Sequence, residues 1–307
     1  MTAPDLICMG EPLVEFVRIT GSGADHYACG IGGDTSNAAI AAARQGASVG
    51  YLTALGTDRF GDRITACWDA ESIDHSHTRR DAAAPTGIYF VEPDPAGRSF
   101  TYYRAGSAAA CLNAADVPLD YIRAARALHL SGITLAISGS MRAAASRAAK
   151  EAAAAGVAVS VDTNLRLRLW SIEEARAVTH AAMAHAHIAI TSIDDSADLT
   201  GLHDPGEIID FYQALGPEIV LVTKGAEGCE IGWGDQRAVI PAVPCEPVDS
   251  TGAGDSFAGA FLARWLETAD PLAAGHYAAV VAARVVSGYG AIATIPRRED
   301  VLAALRA

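Results

Sequence analysis

The sequence predicts an α/β fold: a parallel sheet covered by helices on both faces, with a small antiparallel β lid. Three observations lead there. Short, nearly continuous apolar runs alternate with helical patterns through the 307 residues, the mark of parallel strands buried on both faces. The stretch from Gly87 to Arg104, "GIYFVEPDPAGRSFTYYR", breaks that rhythm, alternating with period two about a Pro-Ala-Gly turn as a β-hairpin does. No linker or composition shift divides the chain, so one domain over 1–307 is expected.

The elements follow in order. "DLICMG" is an opening strand. "EPLVEFVRI" alternates like the later hairpin and joins it in a lid built from segments near 11–30 and 87–106. "TSNAAIAAARQG" is a helix closed by Gly46 at the C′ position, where left-handed backbone favours glycine. "ASVGYLTALG" reads as one strand and "DRFGDRITACWDAE" as a helix. "RALHLSG", "GVAVSVDTN", "HIAITS" and "EIVLVTKG" are further buried strands, separated by helices such as "SMRAAASRAAKEAAAAG".

A net charge of −13 argues against a nucleic-acid partner, because phosphate-backbone binding needs a basic face. No apolar run approaches the roughly 20 residues of a membrane span. The N-terminal "MTAPDLICMG" lacks a basic, then apolar, leader, so secretion is not expected. The six cysteines are scattered without a CxxC spacing, which suits reduced thiols in a cytoplasm. His75-x-His77 and His185-x-His187 have no Cys or acid cluster to complete a zinc set, so no structural metal is expected.

Two glycine-rich stretches carry the chemistry. There is no GxxxxGK[ST], and "GYGAIA" (Gly288 to Ala293) lies too far along the chain for a dinucleotide-binding first turn. In "CGIGGDTSNAA", Gly32 and Gly33 precede Asp34, Ser36 and Asn37 at a helix start. Either a ligand approaches the bare backbone and the short polar side chains bind hydroxyls, or the stretch is a glycine turn with an N-cap. In "PVDSTGAGDSFAGAFLARWLE", a carboxylate, Asp255, follows Gly252-Ala253-Gly254 where a helix begins. It is either a helix-stabilising acid or a reactive group beside an anion held by free N–H groups.

Together, "GGDTSNAAIAAARQG" (Gly32 to Gly46) and "DSTGAGDSFAGAF" (Asp249 to Phe261) resemble the N- and C-terminal signatures of the ribokinase-like, PfkB-type carbohydrate kinases, and the likeness covers nearly the whole chain. The resemblance implies a ribokinase-like sheet with a β lid, ATP as phosphoryl donor and Mg2+, and it admits a monovalent cation. It implies that the N–H groups of Gly252, Ala253 and Gly254 hold the transferring phosphate and that Asp255 accepts the proton of the attacking hydroxyl, a role suited to phosphoryl transfer.

Other roles carry over residue by residue. Gly33, Asp34 and Asn37 would bind the sugar. "VDTNLRLRLW" (Val161 to Trp170) resembles a segment of the 2-keto-3-deoxygluconate kinases, with Thr163 and Leu167 in place of prolines. It would direct Asn164 and Arg166 at phosphate or substrate, while Arg168 reads equally well as a surface residue. "YYRAGSAA" places Tyr103 and Arg104 over the sugar with Tyr89 beside them, unless Tyr89 is only half of a cross-strand aromatic pair. In "LVTKGAEGCEI", Thr223, Gly225 and Gly228 would face the nucleotide, with Lys224 solvated.

The family's Asn-x-x-Glu becomes Ser192 and Asp195 in "ITSIDDSADLTG"; Ser192 would face the nucleotide and Asp195, or Asp194, the magnesium through water. The expected substrate is an acid sugar such as 2-keto-3-deoxygluconate, with arginines offsetting the negative chain. A fructokinase or other neutral-sugar kinase is the alternative, a non-catalytic sensing module on the same fold is less favoured because the base is present, and a dehydrogenase is a distant third. Family members often dimerise through the lid, so a homodimer is expected.

Overall fold

Leu6, Ile7, Cys8 and Met9 are all wholly buried, and a strand apolar on both faces belongs in the middle of a helix-covered sheet. The computed structural model describes residues 3–19, 26–94 and 97–306. Its strands are β1 (Leu6–Met9), β2 (Leu13–Ile19), β3 (His26–Gly32), β4 (Val49–Leu52), β5 (Ala54–Gly56), β6 (Arg79–Asp81), β7 (Ile88–Asp94), β8 (Gly97–Tyr103), β9 (Ala127–Ser131), β10 (Ala158–Asp162), β11 (Ile188–Ser192), β12 (Ile219–Thr223), β13 (Cys229–Trp233) and β14 (Gln236–Ile240). The α-helices are α1 (Asp34–Arg44), α2 (Arg59–Ala70), α3 (Leu119–Ala124), α4 (Gly132–Ala136), α5 (Gly139–Ala154), α6 (Ile172–Met183), α7 (Ile193–Thr200), α8 (Pro205–Leu215), α9 (Ala253–Thr268), α10 (Pro271–Val286) and α11 (Arg298–Ala304).

The main sheet runs β14-β13-β12-β11-β10-β9-β1-β4. The strands from β12 to β4 are parallel, and β13 and β14 add an antiparallel edge. Period-two alternation divides β1 between two cores: Leu6 and Cys8 join α1, α9 and α10 on one face, Ile7 and Met9 join α3, α5 and α8 on the other. The stretch expected as one strand over 47–56 divides at Thr53. β4 is the sheet's edge, and the chain beyond it pairs with β6 instead.

The second sheet has the order β3-β2-β7-β8. Both hairpins are antiparallel, as expected, but β2 and β7 run parallel, so this sheet is mixed. Both strands leave the body in the same direction, which makes their contact parallel. Pro95 and Ala96 of the expected hairpin turn lie outside the described residues.

Two helices of the main body set up the site. A Cβ at Gly259 would lie 2.1 Å from the Ala38 carbonyl, so the lack of a side chain lets α9 cross α1 at close range. The N-termini of these helices, which carry Asp34, Asn37 and Asp255, meet as a result.

Candidate active site

A cleft of about 710 Å³ lies beyond the carboxyl ends of β10, β11 and β12, closed on one side by the second sheet. Open α/β sheets bind ligands there because the loops that follow parallel strands converge at that end.

Asp255, in the first turn of α9, accepts a 2.8 Å hydrogen bond from Asn37 Nδ2. Burial, and next the negative charge of Asp34, push its pKa up to about 7, against the pull of Asn37 and Arg166. A carboxylate so placed is about half ionised at pH 7 and a better proton acceptor than an ordinary aspartate. Gly252 caps α9 in the left-handed region (φ 76°) with no side-chain cap, which leaves first-turn N–H groups for an anion. A Cβ on Gly252 would come within 2.7 Å of the Ala291 Cβ, so the turn demands glycine for packing as well as for φ. Gly252, Gly254 and Asp255 line the cleft. Ala253 does not: its side chain packs against the core and its N–H donates to the Ser250 carbonyl at 3.2 Å.

Gly33, with φ 117°, approaches so closely that a Cβ would sit 2.5 Å from the Glu11 carbonyl oxygen, and it lines the cleft with Asp34 and Asn37. Gly32 serves a different need, since its missing Cβ makes room for the Tyr89 hydroxyl.

After β10, the backbone N–H of Asn164 donates to Asp162 Oδ1 and its Nδ2 lies 3.4 Å from Asp34 Oδ2. Asp162, held well above the usual carboxylate range by burial and then by the charges of Asp255, Asp195 and Asp34, also lines the cleft. Ser192 caps α7 by accepting from the Asp195 N–H, and Asp195 Oδ2 accepts from Thr163 Oγ1 and the Leu165 N–H, both at 2.9 Å. Asp194 is not among the lining residues.

On the second sheet, Tyr89, Phe100 and Tyr102 face the cleft, and the Tyr89 and Tyr102 rings stack with centroids 5.4 Å apart. Tyr103, expected there, is a correction. Strand alternation turns it to the opposite face, where it is 63% exposed and meets Phe90 edge-on, and Tyr102 takes its place. Arg104 does line the cleft, with its guanidinium ion-paired to the wholly buried Glu11 and lying 5.5 Å from the Tyr102 ring centroid. Arg166 and Arg168 also line it, and Arg168 Nη1 reaches the Phe100 carbonyl of β8 at 3.3 Å.

On the side expected for nucleotide, Thr223 lines the cleft, but Gly225 and Gly228 do not. Gly228 (φ 92°) is needed where the chain passes the Ile240 carbonyl, and Lys224 pairs with Glu230.

Among the described residues, no group of three or more His, Cys, Asp or Glu side chains is arranged to hold a metal. Mg2+ asks for less, keeping several waters and binding through one or two carboxylates plus phosphates. Asp162 and Asp195, hard oxygen donors at the cleft, fit that requirement.

The cleft residues not singled out from the sequence include Glu11, Asp162, Tyr102 and Thr191. The first two carried a usable signal, being acids placed at the C-terminal ends of the apolar runs "LICM" and "VAVSV".

Residues 3–298 match the family described as pfkB family carbohydrate kinase. The chain belongs to that family. The kinase is 34% identical over 311 residues to 2-dehydro-3-deoxygluconokinase of Thermoproteus tenax, covering 98% of this chain and 94% of that one. It is 32% identical to Fructokinase-1 of Oryza sativa subsp. japonica, covering 97% and 96%. Among solved structures, fructokinase from Vibrio cholerae O395, in a fructose, ADP and calcium ion bound form, superposes with a TM-score of 0.86 at 26% identity over 97% of this chain and 98% of its own. No helix among the described residues is long and apolar enough to cross a membrane.

Proposed function

We propose that this kinase transfers the γ-phosphate of ATP to a hydroxyl of a 2-keto-3-deoxy acid sugar such as 2-keto-3-deoxygluconate. The observation that carries the reading is that Arg104, from beyond β8, and Arg166 and Arg168, from beyond β10, line the same cleft, close enough for all three charges to act on the Tyr102 hydroxyl. Among the described residues neither Arg166 nor Arg168 is ion-paired with a carboxylate. In a chain of net charge −13, such cations at a cleft suit an anionic substrate, and a guanidinium can grip a carboxylate through two parallel bonds.

The sugar lies between the tyrosine wall and the N-termini of α1 and α9, with its reactive hydroxyl at Asp255. Asp255 takes the hydroxyl proton as the oxygen attacks phosphorus, while the first-turn N–H groups of α9 hold the phosphoryl oxygens. Asn37 fixes the Asp255 carboxylate, and Asp34 keeps it basic. Arg166 offsets charge near Asp255 and Asp195. Bound Mg2+ would neutralise the nucleotide phosphates, with Asp195 and Asp162 reaching it directly or through water.

One observation favours a neutral-sugar kinase instead: Glu11 already offsets the charge of Arg104. The deciding measurement is kcat/KM for 2-keto-3-deoxygluconate against fructose and ribose, with Arg104→Lys alongside. The acid sugar should lead by tenfold or more, on the order of one good charged contact, and the substitution should weaken the acid sugar selectively. Preference for fructose, or an equal loss on both sugars, overturns the assignment.

We also propose a homodimer through the outer face of the second sheet, where Phe16, Phe90 and Tyr27 pack together beside the exposed Tyr103. A cytoplasmic location goes with this reading, supported by six free thiols.

A further inference from the structure

We infer that Glu11 is a positioning residue for sugar recognition, acting through Arg104. The inference rests on the proposed function only in taking Arg104 as a sugar contact. Glu11 lies between β1 and β2, where the chain first passes from the main sheet to the second sheet; Arg104 and Ser107 lie just past β8, where it returns. The Glu11 side chain is wholly inaccessible to solvent and that of Arg104 is 13% exposed. Glu11 Oε2 pairs with Arg104 Nη2, and Glu11 Oε1 accepts a 2.6 Å hydrogen bond from Ser107 Oγ. One carboxylate thus holds two points of the returning chain.

The rest of the guanidinium is aimed but not spent. Arg104 Nε is buried and makes no hydrogen bond among the described residues, although Arg104 lines the cleft. A buried donor left open at a ligand cleft calls for an acceptor from the ligand. Because Glu11 engages Nη2, the guanidinium plane is restrained from both sides, by the ion pair at one end and by the Tyr102 ring beneath it. A restrained guanidinium presents its open N–H to a carboxylate or hydroxyl with little ordering left to pay on binding.

Removing the Glu11 charge has two opposed consequences. It makes the cleft more positive, which favours an anionic sugar, and it releases Arg104 to swing toward solvent on its flexible stem. The release dominates, because nothing else in the described structure pairs with that guanidinium and a buried cation without a partner leaves its site.

The test is a double-mutant cycle on the full chain, read by coupled ATP-consumption assay. Glu11→Gln should raise the sugar KM about tenfold while kcat and the ATP KM change by less than about threefold. In an Arg104→Met background the same change should move the sugar KM by less than about twofold, because its target is gone. A sugar KM unmoved by Glu11→Gln, or two effects that multiply independently, overturns the inference. Should Glu11→Gln fail to fold by circular dichroism, Ser107→Ala, which removes only the bond to Oε1, replaces it. A rise of about threefold in sugar KM that vanishes in the Arg104→Met background supports the inference, and no rise overturns it. If fructose proves the better substrate, the acid-sugar reading fails by itself; the cycle run on fructose then decides the role of Glu11 separately.

Discussion

Asp255→Asn should exchange activity for stability, and the structure sets the size of both effects. The pKa of Asp255 rises from 3.8 to about 7, with burial the largest cause and Asp34 next. At 1.36 kcal/mol per unit, ionising this group in the folded state opposes folding by at most about 4 kcal/mol. The residue retains some solvent contact, so roughly half of that, ~2 kcal/mol, is the expected reading. The folded state holds the proton more tightly than the unfolded chain does. The contribution to stability is therefore full below about pH 4 and is lost as the pH rises through about 7. Asparagine has no charge to penalise, and its carbonyl still accepts from Asn37 Nδ2 in place of the carboxylate oxygen. The variant should melt about 4 °C above the parent at pH 8, with the gap narrowing steadily from pH 8 to pH 5. Its kcat should fall at least 10²-fold, the scale of a general base. Thermal unfolding by circular dichroism across that pH range, with a coupled assay, measures both. Equal melting temperatures at pH 8, a gap independent of pH, or full turnover would each refute the reasoning.

Thr163→Val keeps shape and burial but deletes the hydroxyl that meets Asp195 Oδ2 and Thr191 Oγ1. It should raise the Mg2+–ATP KM about fivefold with the sugar KM unchanged and lower stability by ~1 kcal/mol; an unchanged Mg2+ titration would detach Thr163 from the nucleotide side. Light scattering at working concentration should give twice the 31.7 kDa chain mass, with Tyr103→Glu shifting the mass toward a single chain while leaving the inward-facing Tyr102 wall in place; a monomeric parent removes the proposed interface.

The main sheet was legible because its strands are apolar on both faces and its helices carry local signals. Gly46 does end α1 with positive φ, and Ser192 and Asp58 cap the helices they precede. The N-terminal glycines and the turn before α9 were legible for the same reason, since a backbone that must adopt φ 117° or 76° announces itself through glycine. Tyr103 was misplaced although alternation can be read from sequence. Period two says that Tyr102 and Tyr103 face opposite ways, and only the register against β7, with Tyr102 opposite Tyr89, says which one faces inward.

By itself, then, the sequence determined what local chemistry determines: the parallel strands of the sheet with helices between them, the left-handed glycine turn at Gly252, and a carboxylate close behind it. The tertiary structure alone decided which distant groups meet. Asn37 reaches Asp255 across 218 positions because Ala38 and Gly259 let two helices touch, and Glu11 reaches Arg104 because the chain leaves and re-enters the body at adjacent points. Such pairings arise from the packing of whole elements, and no short window of residues encodes the distance between them.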